Sequence, residues 1–130
     1  MISILIKSAK KFTLEEERIR SWASNSLKKH GLANGELSLF FVDSKEIQVL
    51  NRRYRKLDQA TSVLTFFQGQ AYPESIRRAT PEKTLLLGDI VICPVEAKKK
   101  NLSIEFLIEH GIKNLLSEIP TAKSLRPGSS

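Results

Sequence analysis

The stretch Leu85 to Cys93, LLLGDIVIC, constrains this chain more than any other. A run this apolar does not suit a strand with one wet face. It reads as a central strand buried on both sides, so other elements must cover each face. Pro94 ends the run. Asp89, inside it, must be hydrogen-bonded or face a cleft, because an unpaired buried carboxylate is costly. Gly88 marks a bulge or a close backbone approach, and Cys93 suits a small buried filler better than a nucleophile.

The neighbouring stretches supply the cover. Ile2, Ile4 and Ile6 alternate with Ser3, Leu5 and Lys7, the period of a strand with one face on a core. Thr13 and Glu16 form a capping box that predicts a helix presenting Ile19, Trp22, Ala23 and Leu27 inward and ending at Gly31 as a left-handed cap, with Trp22 in the core. After a turn at Asn34-Gly35, Glu36 to Val42 (ELSLFFV) predicts a second strand. Asp43 or Ser44 caps a second helix carrying Ile47, Leu50 and Tyr54 on one side. Thr61 to Phe66 predicts a third strand, and Gln68 to Lys83 a long surface loop. Proline suits a first helical turn, so Val95 to Asn101 predicts a short helix. Ser103 caps a last helix with a stripe of Ile104, Leu107, Ile108, Gly111, Ile112, Leu115 and Leu116. The expected fold is α+β (α/β): a single sheet of about four strands packed with about four helices. Residues 1–119 form one domain, and the polar stretch 120–130 a disordered tail.

Composition narrows the setting. At 41% hydrophobic and 27% charged residues the chain reads as soluble and globular, with no run approaching the roughly 18 apolar residues of a membrane span. A single cysteine and a start without a signal-peptide pattern lead to the expectation of a cytoplasmic protein. A formal charge of +7 favours an anionic partner, of which nucleic acid is the commonest. Arg52, Arg53, Arg55 and Lys56 are candidate RNA-binding residues at the end of the second helix. Lys98, Lys99 and Lys100 form a second basic run that reads as a solvated face.

On the last helix His110 and Asn114 stand four apart, a spacing that puts both on one face at the edge of the apolar stripe. One imidazole is a poor start for zinc, which wants three or four good donors. An amide oxygen such as that of Asn114 suits harder ions. Glu118, one turn further, would add a carboxylate if the helix reaches it.

Three blocks together carry a resemblance: LNRRYRKLDQATSVLTF (Leu50 to Phe66), LGDIVIC (Leu87 to Cys93) and FLIEHGIKNLL (Phe106 to Leu116). In order and spacing they resemble the YbeY family, also called UPF0054, of metal-dependent endoribonucleases that mature ribosomal RNA. The resemblance implies a cytoplasmic hydrolase that takes single-stranded or ribosomal RNA, with the small ribosomal subunit as a further partner. It implies a zinc held by three histidines, with an arginine in the same cleft. Carried over by position, the catalytic arginine is Arg55 and the first metal histidine His110. The second and third metal positions hold Asn114 and Pro120, and Ser117, Glu118 and Ile119 stand where the family has glycine, tyrosine and aspartate. Ala60 and Ser62 also depart from the pattern. With two histidines in the whole chain, His30 and His110, a three-histidine zinc site cannot form within it. Two readings therefore stand: an endoribonuclease with reduced activity, or a metal-free RNA- or ribosome-binding protein that has lost catalysis.

Overall fold

The computed structural model describes residues 2–8, 14–67 and 86–117. Through them the chain runs β1 (Ile2–Ser8), α1 (Glu16–Lys29), β2 (Gly35–Phe41), α2 (Ser44–Arg55), β3 (Val63–Phe67), β4 (Leu86–Ile92), α3 (Pro94–Lys99) and α4 (Ile104–Ser117). This is the order the sequence predicts, and the fold is α+β with one mixed sheet. The strand order is β1-β2-β4-β3. β1, β2 and β4 run parallel, and β3 pairs antiparallel with β4 as an edge strand.

β4 is buried for the reason its composition implies. Ile90 and Ile92, with Leu37 and Leu39 of β2, face a core closed by Ile19, Ala23 and Leu27 of α1 and by Leu107, Ile108 and Ile112 of α4. Val91 and Cys93 face the other way, into a smaller core with Ile47 and Leu50 of α2 and Leu64 and Phe66 of β3. Each fully buried Leu or Ile side chain contributes roughly 1.5–3 kcal/mol relative to exposure. A bulge interrupts the pairing of β2 with β4: Leu86 stands opposite Glu36 and Gly88 opposite Leu37, leaving Leu87 extra. Gly88 takes a φ of 142° there, a conformation open to glycine. Asp89 is 1% exposed and engaged with a partner.

The caps meet expectation at two helices. The Asp43 carboxylate accepts from the Glu46 amide at 2.8 Å, and the Ser103 hydroxyl from the Phe106 amide at 3.0 Å. α1 differs. It begins at Glu16 with Glu15 at the N-cap position and no side-chain cap, so Glu16 opens the helix instead of closing a capping box, and Thr13 lies outside the described residues. Glu16 and Glu17 in the first turn complement the helix dipole instead. Gly31 follows the helix with φ 89°, as its left-handed position predicts.

Two inward assignments shift. Trp22 is half-buried against the core and not inside it. Tyr54 is 40% exposed, because the inner stripe of α2 turns through Ile47, Leu50 and Asn51 and leaves Tyr54 at the rim. Buried Asn51 donates from Nδ2 to the Gln59 carbonyl at 2.9 Å and pins the turn leading to β3. The expected loop from Gln68 to Lys83 and the tail from Pro120 lie outside the described residues.

α4 sits on β4 at Gly111. A Cβ there would lie 2.7 Å from Cδ1, 2.9 Å from Cγ2 and 3.0 Å from Cγ1 of Ile90, whose side chain is fully buried. Gly111→Ala should therefore lower stability by about 1–3 kcal/mol through overpacking, more than the roughly 1 kcal/mol that alanine contributes to helix propensity. In an Ile90→Val background the cost should shrink, since Cδ1 is gone. A double-mutant cycle in thermal or urea unfolding measures that coupling.

Candidate functional site

Between the edge strand β3 and α4 lies an open groove of about 760 Å³. Its lining includes Tyr54 and Arg55 of α2, all of β3 from Val63 to Phe67, and His110, Asn114 and Ser117 of α4. Three residues singled out from the sequence, Arg55, His110 and Asn114, thus share one cavity although they lie far apart in the chain.

Arg55 is held on two sides. Its Nη2 donates to the carbonyl of Thr65 at 2.8 Å, and its guanidinium lies 5.9 Å from the centroid of the Phe66 ring, within cation–π range. Phe66 is in turn braced edge-on by Tyr54 at 5.3 Å. A guanidinium has five N–H donors, so one bond to a carbonyl leaves a fork free for an oxyanion. The side chain remains exposed.

His110 is exposed on α4. Its ring stacks on that of Phe106, with centroids 6.1 Å apart and planes 15° from parallel. Its Nε2 lies 3.4 Å from Asn114 Nδ2. The i, i+4 spacing read from the sequence therefore brings the two side chains together.

The other basic residues lie elsewhere. Arg52, Arg53 and Lys56 are exposed and are not among the groove's lining residues. Arg52 faces Asp58 at 3.8 Å, with both side chains largely in water, and such pairs are worth little. Lys56 takes the left-handed cap of α2 with φ 60°. These three can add charge around Arg55 without touching what the groove holds. Glu118 lies outside the described residues.

The donors present do not fit the zinc that the sequence resemblance implies. The groove offers one imidazole, three side-chain amides and hydroxyls. Among the described residues no group of three His, Cys, Asp or Glu side chains is placed to hold a metal ion. The other histidine, His30, caps α1, where its Nε2 lies 3.2 Å from Glu109 Oε2.

The sequence pattern gives the aromatic residues near the groove no role beyond the fold: Tyr54 falls on a helix face, Phe66 in a strand, and Phe106, outside the groove's lining, opens the block Phe106 to Leu116. The one available signal was Phe106's place four residues before His110, a helical spacing that stacks the two rings.

A mixed four-stranded sheet with helices packed on it, and an arginine-bearing groove along its antiparallel edge, place this chain in the α+β class. The chain belongs to the YbeY family: the family model described as endoribonuclease YbeY matches residues 4–117. It is 33% identical over 113 residues to the endoribonuclease YbeY of Aquifex aeolicus, an alignment covering 87% of this chain and 69% of that one. It is 38% identical over 124 residues to that of Cellvibrio japonicus, covering 88% and 65%. With the Oceanobacillus iheyensis protein it shares 38% identity over 92 residues, 65% of this chain and 60% of the relative. The chain thus spans 60–69% of the length of these relatives. A solution structure of a Thermotoga maritima protein shares the fold, with a TM-score of 0.50 at 24% identity over 86% of this chain and 71% of that one.

Glu109 ties α4 to α1 and so steadies the helix that carries His110. It accepts from the Ser26 hydroxyl, and His30 and Lys29 stand at 3.2 and 3.9 Å. The Ser26 hydrogen bond, with help from His30 and Lys29, holds its carboxyl below the ordinary 4.5 against the opposing effect of burial. A lowered folded-state pKa gives stability that is complete above the unfolded value and lost as pH falls through the folded one. Glu109→Gln should therefore lower the melting temperature at pH 7, and the gap from the parent should close below about pH 4. Melting curves of both proteins across pH check this.

Proposed function

We propose that this chain acts on single-stranded RNA as an endoribonuclease of the kind that matures ribosomal RNA, with the groove between β3 and α4 holding the strand. The observation that carries the proposal is Arg55, anchored to the Thr65 carbonyl and the Phe66 ring inside the groove that also holds His110. Family membership supports the endoribonuclease part.

The parts suit the task. An anchored guanidinium can grip a phosphate in a bidentate way and neutralise the charge that grows on its oxygens during attack, with little reorganisation. Lysine lacks that fork. Exposed Tyr54 and half-buried Phe67 bring aromatic surface to the groove, and aromatic surface recognises unpaired bases, which a duplex does not offer. Arg52, Arg53 and Lys56 add sequence-independent attraction. The fit to ribosomal RNA and to the small ribosomal subunit rests on the family alone.

The groove's donor set favours a second reading. One imidazole beside an amide does not make a zinc site, so the chain is also read as an RNA-binding member that does not cut. Incubation of purified protein with single-stranded RNA separates the two. Cleavage that a chelator stops, together with about one metal ion per chain, supports the nuclease. Binding without cleavage supports the binder.

Both readings require Arg55. Arg55→Ala should weaken RNA binding by about tenfold or more, the scale of a charged hydrogen-bonded contact. Log affinity should fall with log salt at roughly −0.7 per phosphate contacted. Unchanged affinity, or a flat salt dependence, counts against the groove as the RNA site. Asn114→His alone should not create tight zinc binding, because two imidazoles still leave the site a ligand short. Zinc titration of that variant by calorimetry is the check.

A further inference from the structure

We propose that a second cleft, on the side of α4 turned toward α1, takes an unpaired base of the same RNA strand, so that the strand crosses α4 at Phe106. The proposal rests on the RNA reading above.

The cleft measures about 420 Å³, and its lining includes Trp22, Asn25 and Lys29 of α1 and Ser103, Phe106 and Glu109 around the start of α4. Its aromatic residues differ in burial. Trp22 is half-buried and backed by the main core, which makes it a rigid wall. Phe106 is 54% exposed, and burial does not account for a phenylalanine there. The same ring that lines this cleft stacks on His110, and His110 lines the RNA groove. Phe106 therefore stands as a ridge between the cleft, which it lines, and His110, which lines the groove.

The polar groups favour a base over a phosphate inside the cleft. Glu105 and Glu109 line it, and their carboxylates repel phosphate but accept hydrogen bonds from the ring N–H and amino groups of a base. Glu109 is committed to Ser26 and His30, whereas exposed Glu105 makes no ion pair or side-chain hydrogen bond among the described residues. The Asn25 amide offers both a donor and an acceptor to a base edge. Lys29, with its side chain 72% exposed, can meet the backbone outside. Base stacking on aromatic side chains is sequence-tolerant, which suits a strand held mainly through its phosphates.

Trp22 is the chain's only tryptophan, so its fluorescence reports on this cleft. Titration of the protein with a single-stranded hexaadenylate should quench it, while a duplex RNA should not. Phe106→Ala should abolish the quenching and weaken hexamer binding by about tenfold, the scale of one lost stacking contact. Its melting temperature should stay near that of the parent, because the side chain is exposed. Asn25→Ala, also exposed, should weaken binding several-fold with the fold intact. If the hexamer binds in an Arg55-dependent way while Trp22 fluorescence is unchanged and Phe106→Ala binds like the parent, the second cleft is overturned and the groove stands. If the hexamer does not bind at all, the RNA reading fails. Millimolar adenosine monophosphate then tests the cleft alone: quenching that Phe106→Ala removes keeps it as a base site, and no quenching overturns it.

Discussion

The contact of Gly111 with Ile90 sets the geometry on which the rest depends. With no side chain at Gly111, α4 settles directly onto the central strand. The height of the helix above the sheet and its rotation about its axis are then fixed together. Once Gly111, Ile108, Ile112 and Leu115 face the sheet, helical phase leaves His110 and Asn114 at the edge, over β3. A helix held off by a methyl group would carry both side chains away from Arg55's groove. Glu109, reaching back to Ser26 and His30 of α1, holds the same helix from the other side.

Arg55 shows how an edge strand can serve a site. β3 pairs only with β4, so its outer side offers unpaired backbone, which sheets commonly blunt with charge. Here the guanidinium bonds to the Thr65 carbonyl and stacks near Phe66. The arginine gains a fixed orientation and the edge gains a partner. That arrangement depends on the pinned turn after α2, where buried Asn51 holds the Gln59 carbonyl and Lys56 accepts a left-handed conformation. The charge run by itself does not distinguish Arg55 from Arg52 or Arg53; only the resemblance does. In the structure the phase of α2 separates them, since Arg55 lines the groove and Arg52 and Arg53 do not.

The same groove joins what the family would lead one to expect with what this chain holds. Its arginine and its one histidine fall where the resemblance puts them, whereas its donors among the described residues, one imidazole with amides and hydroxyls, do not compose a zinc site. Binding and cutting are therefore separate requirements of the proposed function. The first needs charge and stacking surface, for which Arg55 and Tyr54 are placed in the groove. The second needs groups that activate water.

Much of the architecture was legible in the chain itself, because it follows from local chemistry. An apolar run with Pro94 behind it must be a central strand; Asp43 and Ser103 cap helices because their side chains reach amides three residues on; Gly88 bulges where a φ of 142° is needed. The two helix-end details that went otherwise, the start of α1 and the outward turn of Tyr54, are boundary and phase effects of a residue or two, which packing settles. What only the tertiary structure decided is which distant residues meet. That Arg55, Thr65 and His110 share a groove depends on β3 lying at the edge beside α4. That Phe106 forms a ridge beside Trp22 depends on how α1 packs against α4. The sequence determined a central strand, its covering helices and the side chains available for chemistry. Their meeting places were set by close packing, which acts between residues with no neighbourhood in the chain.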